Sequence, residues 1–247
     1  MKLFHRSVLA AAALILASMP ALAAGPKLTF GSDCTFPPME FLDANKNIVG
    51  FDIDLINAVA KAGGFEAVVK NTAWDGIFAG LAAGDYDAVL SSVTITDERK
   101  QTMDFSKPYV NAGQVIITPK SYNGPADLKS FAGKLVGAQI GTTGAIEVAK
   151  FKDIQMKTYD EEGLAVEDLA IGRINAVVMD SPTAASYVLQ NDKYKAKLKI
   201  VGKPFTTEEY GIAVKKGNAQ ALDMINKGLD VVIKDGTIAK LSKKWGL

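Results

Sequence analysis

Leu81-Ala82-Ala83-Gly84-Asp85-Tyr86-Asp87-Ala88-Val89 and Leu169-Ala170-Ile171-Gly172-Arg173-Ile174-Asn175-Ala176-Val177 agree at five of nine positions. In each stretch a helical pattern stops at a glycine, the residue that most readily takes the left-handed turn ending a helix. A short apolar run of strand character then follows. Polar residues come next: Ser91-Ser92 after the first copy, Asp180-Ser181 after the second. Two readings stand open here, because helix–glycine–strand units resemble one another in any α/β protein. If the likeness is a true repeat, the chain makes two similar lobes, each ending the same strand in polar groups. Open α/β sheets bind ligands beyond the carboxyl ends of their strands, so two such edges facing each other would form a cleft.

The remainder alternates in the same way, which argues for α/β layers. Lys27-Leu28-Thr29-Phe30-Gly31 reads as a strand. Asp52 reads as the cap of a helix with Leu55, Ile56, Val59 and Ala60 on one face, stopped at Gly63-Gly64. Phe65 to Val69 reads as a strand and Trp74 to Ala83 as a helix. Further strands are expected over Lys134–Ala138, Met156–Tyr159, Asn175–Met179 and Leu198–Val201. Two amphipathic helices close the chain, one through Ala221, Ile225, Leu229 and Val232, the other through Ile238, Leu241 and Trp245.

The first residues stand apart from this pattern. Lys2, His5 and Arg6 precede an almost wholly apolar run from Val8 to Met19, and Ala21-Leu22-Ala23 follows. That order is the order of a secretory signal peptide, with cleavage expected after Ala23. The run falls short of the roughly 20 residues that span a bilayer, and no later segment is apolar enough to do so. A soluble, exported, periplasmic product is therefore expected. Without Lys2 and Arg6, the 28 basic residues become 26 against 27 acidic, a net charge of −1. That balance leaves no basic footprint for nucleic acid. The single histidine is His5, so the remaining chain has no imidazole for a triad, a relay or a metal site. Cys34 is the only cysteine, which excludes an internal disulfide.

Several stretches at strand ends carry chemistry. Ser91, Ser92, Thr94 and Thr96 stand between the strand Tyr86–Leu90 and Arg99, in a helix start capped by Thr96. A cation in the first turn of a helix is disfavoured by about 0.3–1 kcal/mol. Two explanations remain open: Arg99 pairs on the surface with Asp97 or Asp104, or it waits for a carboxylate, which its planar fork would grip in a bidentate way. Gly141-Thr142-Thr143-Gly144 opens a helix after a strand ending near Gln139. It is an anion seat or merely a helix start, and it lacks the lysine of a nucleotide-binding loop. Asp180 stands one residue before Ser181-Pro182, which reads as a cap with proline at the first helical position. It either assists that start or faces the cleft and binds a cation. Asp33, Phe36 and Trp74 follow the first two strands; the aromatics belong to the core or flank a ligand side chain.

These stretches together resemble the periplasmic amino-acid-binding proteins of ABC importers, the group with glutamine-, lysine/arginine/ornithine- and histidine-binding members. The resemblance rests on Asp33-Cys34-Thr35-Phe36-Pro37-Pro38-Met39-Glu40-Phe41, Val49-Gly50-Phe51-Asp52-Ile53-Asp54-Leu55, Ser91 to Arg99, Gly141 to Gly144 and Tyr210-Gly211-Ile212-Ala213-Val214. It implies an α/β, two-lobed periplasmic-binding-protein fold of type II. One lobe would take residues 24–110 with 210–247 and the other 111–209, joined by hinge strands near Asn111–Val115 and Val201–Glu209. The ligand implied is a free L-amino acid, the partner a membrane permease, the state a monomer, and no cofactor is needed. Arg99 would grip the α-carboxylate with Thr94 and Thr143, and Asp180 the α-ammonium with Ser92. Phe36 and Trp74 would flank the side chain, with Asp33 at its far end. Ser91, Gln139 and Thr142 would complete the site. Gln139 stands where glutamine-binding members carry lysine, and Met179 where they carry histidine. Together with Asp33 this points to a cationic amino acid, with glutamine or another polar neutral one next. The alternative on the same fold is a cyclohexadienyl dehydratase, for which Asp180, Asp33 or Glu40 would be the acid.

Overall fold

The computed structural model describes residues 25–247; the signal-peptide reading of residues 1–23 lies outside them. Two five-stranded sheets organise the chain. The first runs in the order Glu66–Asn71, Lys27–Ser32, Ala88–Val89, Ala213–Lys215, Met103–Phe105. The second runs Gln155–Tyr159, Leu135–Gln139, Ala176–Asp180, Gln114–Pro119, Leu198–Val201. In both, the first three strands are parallel and the last two join antiparallel. Val110–Ala112 pairs antiparallel with Glu208–Tyr210 in a two-stranded ribbon, where the chain passes from one sheet to the other and back. That ribbon overlaps the expected hinge strands only at Asn111–Ala112 and Glu208–Glu209, since Val115 and Val201 belong to strands of the second sheet.

The two similar nonapeptides occupy the same place in both sheets, as the strand beside the first parallel pair. Val89 lies opposite Gly31, and Val177 opposite Gly137. A Cβ on Gly31 would come within 2.8 Å of the Tyr86 ring, and one on Gly137 within 2.8 Å of Ile174 Cδ1. Tyr86 and Ile174 are the same position of the repeat. The side chain that follows also repeats its bond: Asp87 Oδ2 accepts from Thr29 N at 2.7 Å, and Asn175 Oδ1 from Leu135 N at 3.0 Å. Gly84 and Gly172 both have positive φ, 89° and 77°, the conformation that ends a helix at little cost for glycine alone. The repeat is real: helix end, glycine, side-chain clasp and buried strand recur as one unit.

Each sheet has its own apolar core, because each face of a buried sheet must be covered. In the first lobe Leu55, Ile56 and Val59 of helix Phe51–Gly63 pack with Ala221, Ile225, Leu229 and Val232 of helix Ala219–Lys234, all at most 3% exposed. The C-terminal end therefore seals the lobe that the N-terminal strand begins. In the second lobe Val115, Ile117, Val177 and Leu169 form the corresponding core.

Three local readings are corrected. The cap of the first helix is Gly50; Asp52 lies inside the first turn, buried, and accepts from Ser92 N at 3.1 Å and Tyr109 Oη at 2.8 Å. Both bonds go to Oδ2, which turns the side chain across the fold and away from its own helix; Oδ1 meets no partner among the described residues. The second helix spans only Ile77–Ala83, since Gly76 caps it with φ 84° and leaves Trp74 in the preceding turn. Asp180 itself is the cap of helix Ser181–Ala185, yet its side chain makes no capping bond. A three-stranded sheet of Thr35–Phe36, Glu40–Leu42 and Ile48–Val49 was not anticipated, its strands being too short to carry a hydrophobic period.

Candidate functional site

The carboxyl ends of the strands meet between the lobes around one cleft, whose empty space, including the part open to solvent, is about 320 Å³. Its lining is Asp33, Phe36, Trp74, Ser91, Ser92, Thr94, Arg99, Gln139, Thr142, Thr143 and Asp180. The first seven come from one lobe and the last four from the other, so the cavity exists only because the two edges face each other.

Arg99 enters from the short helix Asp97–Thr102, whose cap Thr96 accepts from Arg99 N at 3.1 Å. Its guanidinium lies 5.6 Å from the Trp74 ring and 5.1 Å from the Phe78 ring. Nη1 donates to Thr94 O at 2.9 Å and Nη2 to Gly141 O of the opposite lobe at 3.3 Å. Among the described residues it pairs with no carboxylate: Asp97 is taken by Lys100 and Asp104 by Lys216. That excludes the surface-pair reading. Burial lowers the Arg99 pKa from its ordinary value, and the charge of Asp180 opposes that shift. Trp74 thus braces the arginine, and sequence reasoning missed Phe78, its partner in doing so.

Asp180 hangs from the end of strand Ala176–Asp180 and accepts from Gln114 Nε2. Burial, reinforced by the charge of Glu208, raises its carboxyl to about 7. Arg99 and Asp180 therefore face one cavity from opposite lobes with no ion pair between them. Gln114 and Glu208 belong to the chain crossing and were also missed, since nothing in their local pattern marks them. Glu208 Oε2 accepts from Thr94 Oγ1 at 2.7 Å and Thr143 Oγ1 at 2.9 Å. Each hydroxyl has one hydrogen, so a carboxylate entering the cavity competes with Glu208 for both.

Ser91 and Ser92 are turned by a buried carboxyl pair behind them. Ser91 Oγ donates to Glu40 Oε1 at 3.0 Å and Ser92 Oγ to Glu40 Oε2 at 3.4 Å. With their hydrogens spent inward, the two oxygens can only accept. Ser91 Oγ does so from Asp33 N at 3.0 Å, which leaves Ser92 Oγ to offer its lone pairs, the polarity an ammonium needs. Ser92 has φ 49°, a strained conformation for a non-glycine residue, held by its N–H to Asp52. Burial raises both acids, Asp52 to about 6, while Asp52 pushes Glu40 well above the usual range.

Asp33 lies at the other end. Its Oδ1 accepts from Thr35 Oγ1 at 2.8 Å and its Oδ2 from Gln139 Nε2 at 2.9 Å, while burial raises its pKa. Gln139 also donates to Asp160 O at 2.8 Å. Thr142 caps helix Thr143–Ala149, accepting from Ala145 N at 3.2 Å and donating to Gln139 O at 2.8 Å. Phe36 and Trp74 are 7% and 8% exposed, so both remain part of the core while showing an edge to the cavity.

The sequence profile of the bacterial extracellular solute-binding proteins, family 3, matches residues 28–247. The chain belongs to this family. A probable histidine-binding protein of Neisseria gonorrhoeae is 39% identical over 93% of this chain and 86% of its own length. The L-cystine-binding protein TcyJ of Escherichia coli is 35% identical over 88% and 82%. A solved structure of an ancestral arginine-binding protein bound to arginine superposes with a TM-score of 0.84 at 43% identity, covering 89% of this chain and 97% of that one. The two-lobed type II architecture is therefore the fold of this family member. The enzyme alternative finds no support among these relatives, each of which is named for what it binds. No described helix is long and apolar enough to cross a membrane.

Proposed function

We propose that this family member takes a free L-amino acid between its lobes, as an extracytoplasmic receptor that hands it to the permease of an ABC importer. The single observation that carries this reading is the pair Arg99 and Asp180: opposite charges from opposite lobes, lining one cavity and free of each other. An α-amino acid is the zwitterion that satisfies both. Arg99 takes the carboxylate, for which Thr94 and Thr143 exchange their bonds to Glu208. Asp180 takes the ammonium beside the outward lone pairs of Ser92. Phe36 and Trp74 flank the side chain, and Asp33 meets its end, which favours a cationic amino acid over a polar neutral one such as glutamine. Ser91, Gln139 and Thr142 hold these groups in place.

Ligand bridging the lobes stabilises their closed arrangement, the state a permease would read. The lobes are residues 24–110 with 210–247, and 111–209. The receptor works as a monomer in the periplasm, delivered there by cleavage after Ala23. A thermal-shift screen of the twenty amino acids with ornithine and citrulline tests this, since a ligand that binds only the folded state raises its melting temperature. Arginine, lysine, ornithine or histidine should give the largest shift. No shift with any amino acid overturns the reading, and a largest shift with glutamate overturns the role of Asp33.

A further inference from the structure

Behind the Asp33 end of the cavity, outside the residues that line it, stands an acid that the proposed function does not use; Gln139, bonded to Asp33, also holds the backbone of Asp160, two residues before it. Glu162 is the first residue of helix Glu162–Ala170 and is 2% exposed. Its Oε2 is buried without a hydrogen-bond partner among the described residues. The helix packs against Thr35–Phe36, the strand that contributes an aromatic to the cavity and the hydroxyl that holds Asp33. Glu162 therefore sits where the second lobe meets the side-chain end of the site. Asp180 and Asp33, the cavity's two acids, both act on it electrostatically, and with burial they push its carboxyl well above the usual range. Tyr187 closes the other side, its hydroxyl 2.9 Å from where a Cβ on Gly163 would stand. The Tyr187 phenol is pushed up by burial and by the charges of Glu162, Glu161 and Asp33.

None of the ion pairs among the described residues reaches Glu162, Asp33 or Asp180. Among the described residues no cation pairs with any of these three carboxyls, and Arg99, whose charge acts on Asp180, is braced between Trp74 and Phe78. A buried carboxyl oxygen with no partner destabilises the fold that holds it, and native structures keep few of them without a reason. An ordinary surface acid would turn to water; this one is held inward by the meeting of the lobes.

We propose that Glu162 is a specificity-determining residue that, with Asp33, receives the distal cation of a dibasic amino acid, a guanidinium or an ammonium at the end of the side chain. This rests on the reading of the cavity as an amino-acid site. The ligand's α-carboxylate and α-ammonium go to Arg99 and Asp180, and its second positive charge is what the acidic wall lacks. The cation favours the ionised carboxylate, so Glu162 releases its proton to solvent as the ligand binds, and a neutral side chain leaves it protonated.

Isothermal titration calorimetry with arginine, lysine and glutamine on the wild type and Glu162→Gln tests this. Arginine and lysine should lose tenfold or more in affinity, glutamine no more than about twofold, and the variant should melt no lower than the wild type. Equal losses for all three ligands, or no loss for any, overturn the proposal. Should Glu162→Gln fail to fold, Asp33→Asn decides: with that acid removed, the ratio of arginine to glutamine affinity should still rise from pH 5 to pH 8. The proton lost by Asp180 affects both ligands and cancels in that ratio. A flat ratio overturns the proposal. Binding of amino acids without preference for a second charge overturns this inference alone, whereas no amino-acid binding removes the function it rests on.

Discussion

Gln139 of the second lobe donates to Asp33 of the first at 2.9 Å, across the cleft, and its remaining amide hydrogen is spent on Asp160 O. One side chain thus ties the lobes together at the side-chain end of the cavity. A hydrogen bond to a charged group contributes about 1.5–3 kcal/mol. Gln139→Leu should weaken amino-acid binding by about tenfold or more through loss of the closed arrangement, with the melting temperature of the protein alone little changed. Calorimetry beside a thermal melt checks this; unchanged affinity would show that the tie does not contribute to closure.

Arg99→Ala should abolish amino-acid binding while the fold holds, because Arg99 carries no ion pair in the core of either lobe. Arg99→Lys keeps the charge but loses the bidentate fork and its seat between Trp74 and Phe78, and should retain only weak binding. Affinity within a few-fold of wild type in the alanine variant would remove Arg99 from the site.

Asp33→Asn should cost a cationic amino acid much more than glutamine. The amide keeps the size and one of the two acceptors that meet Thr35 and Gln139, a loss both ligands share, whereas the lost charge falls on the cation alone. A difference of about 1–2 kcal/mol, roughly five- to thirtyfold, is expected between the two ligands. Equal losses measured by calorimetry would end the assignment of Asp33 to the ligand's side chain.

Asp180 couples binding to pH. Its carboxyl is raised from 3.8 to about 7, so between those values the folded state holds a proton that the unfolded chain has lost. Its contribution to stability is full below about pH 4, falls as pH rises towards about 7, and is constant above. Ligand binding runs the other way, since an ammonium needs the ionised form. Affinity should rise between about pH 6 and pH 8, and Asp180→Asn should bind weakly with a flatter profile. Arg99, Glu208 and Glu162 also act on this group, so the comparison of profiles between wild type and variant is the measurement that counts.

Gly228 brings helix Ala219–Lys234 against helix Phe51–Gly63 so closely that a Cβ there would lie 2.2 Å from Val59 O. Gly228→Ala must push the two helices apart, at about 1–3 kcal/mol by the usual cost of overpacking. The melting temperature should drop by several degrees while the ligand preference is kept, since the contact lies in the first-lobe core, away from the cavity lining. An unchanged melting temperature would mean that the helices shift freely.

The local pattern of residues was enough for the α/β layers, while the two-lobed plan came from the family resemblance. The apolar periods marked most of the strands and helices, and the paired nonapeptides pointed to a repeat because helix-stopping glycines and buried strands are written in neighbouring residues. Polar groups after those strands also marked Asp180, Ser91 and Ser92 as candidates. What the sequence left open was whether Arg99 pairs with Asp97 or Asp104, whether Asp180 serves its helix, and whether Asp52 caps one. Those choices depend largely on which donors and acceptors arrive from distant parts of the chain, as Ser92 does at Asp52 and Lys216 at Asp104, and no local period records that. Gln114, Glu208 and Glu162 were invisible for the same reason. Their importance comes from burial between two lobes, and burial of a polar side chain is decided only when distant strand ends are brought face to face.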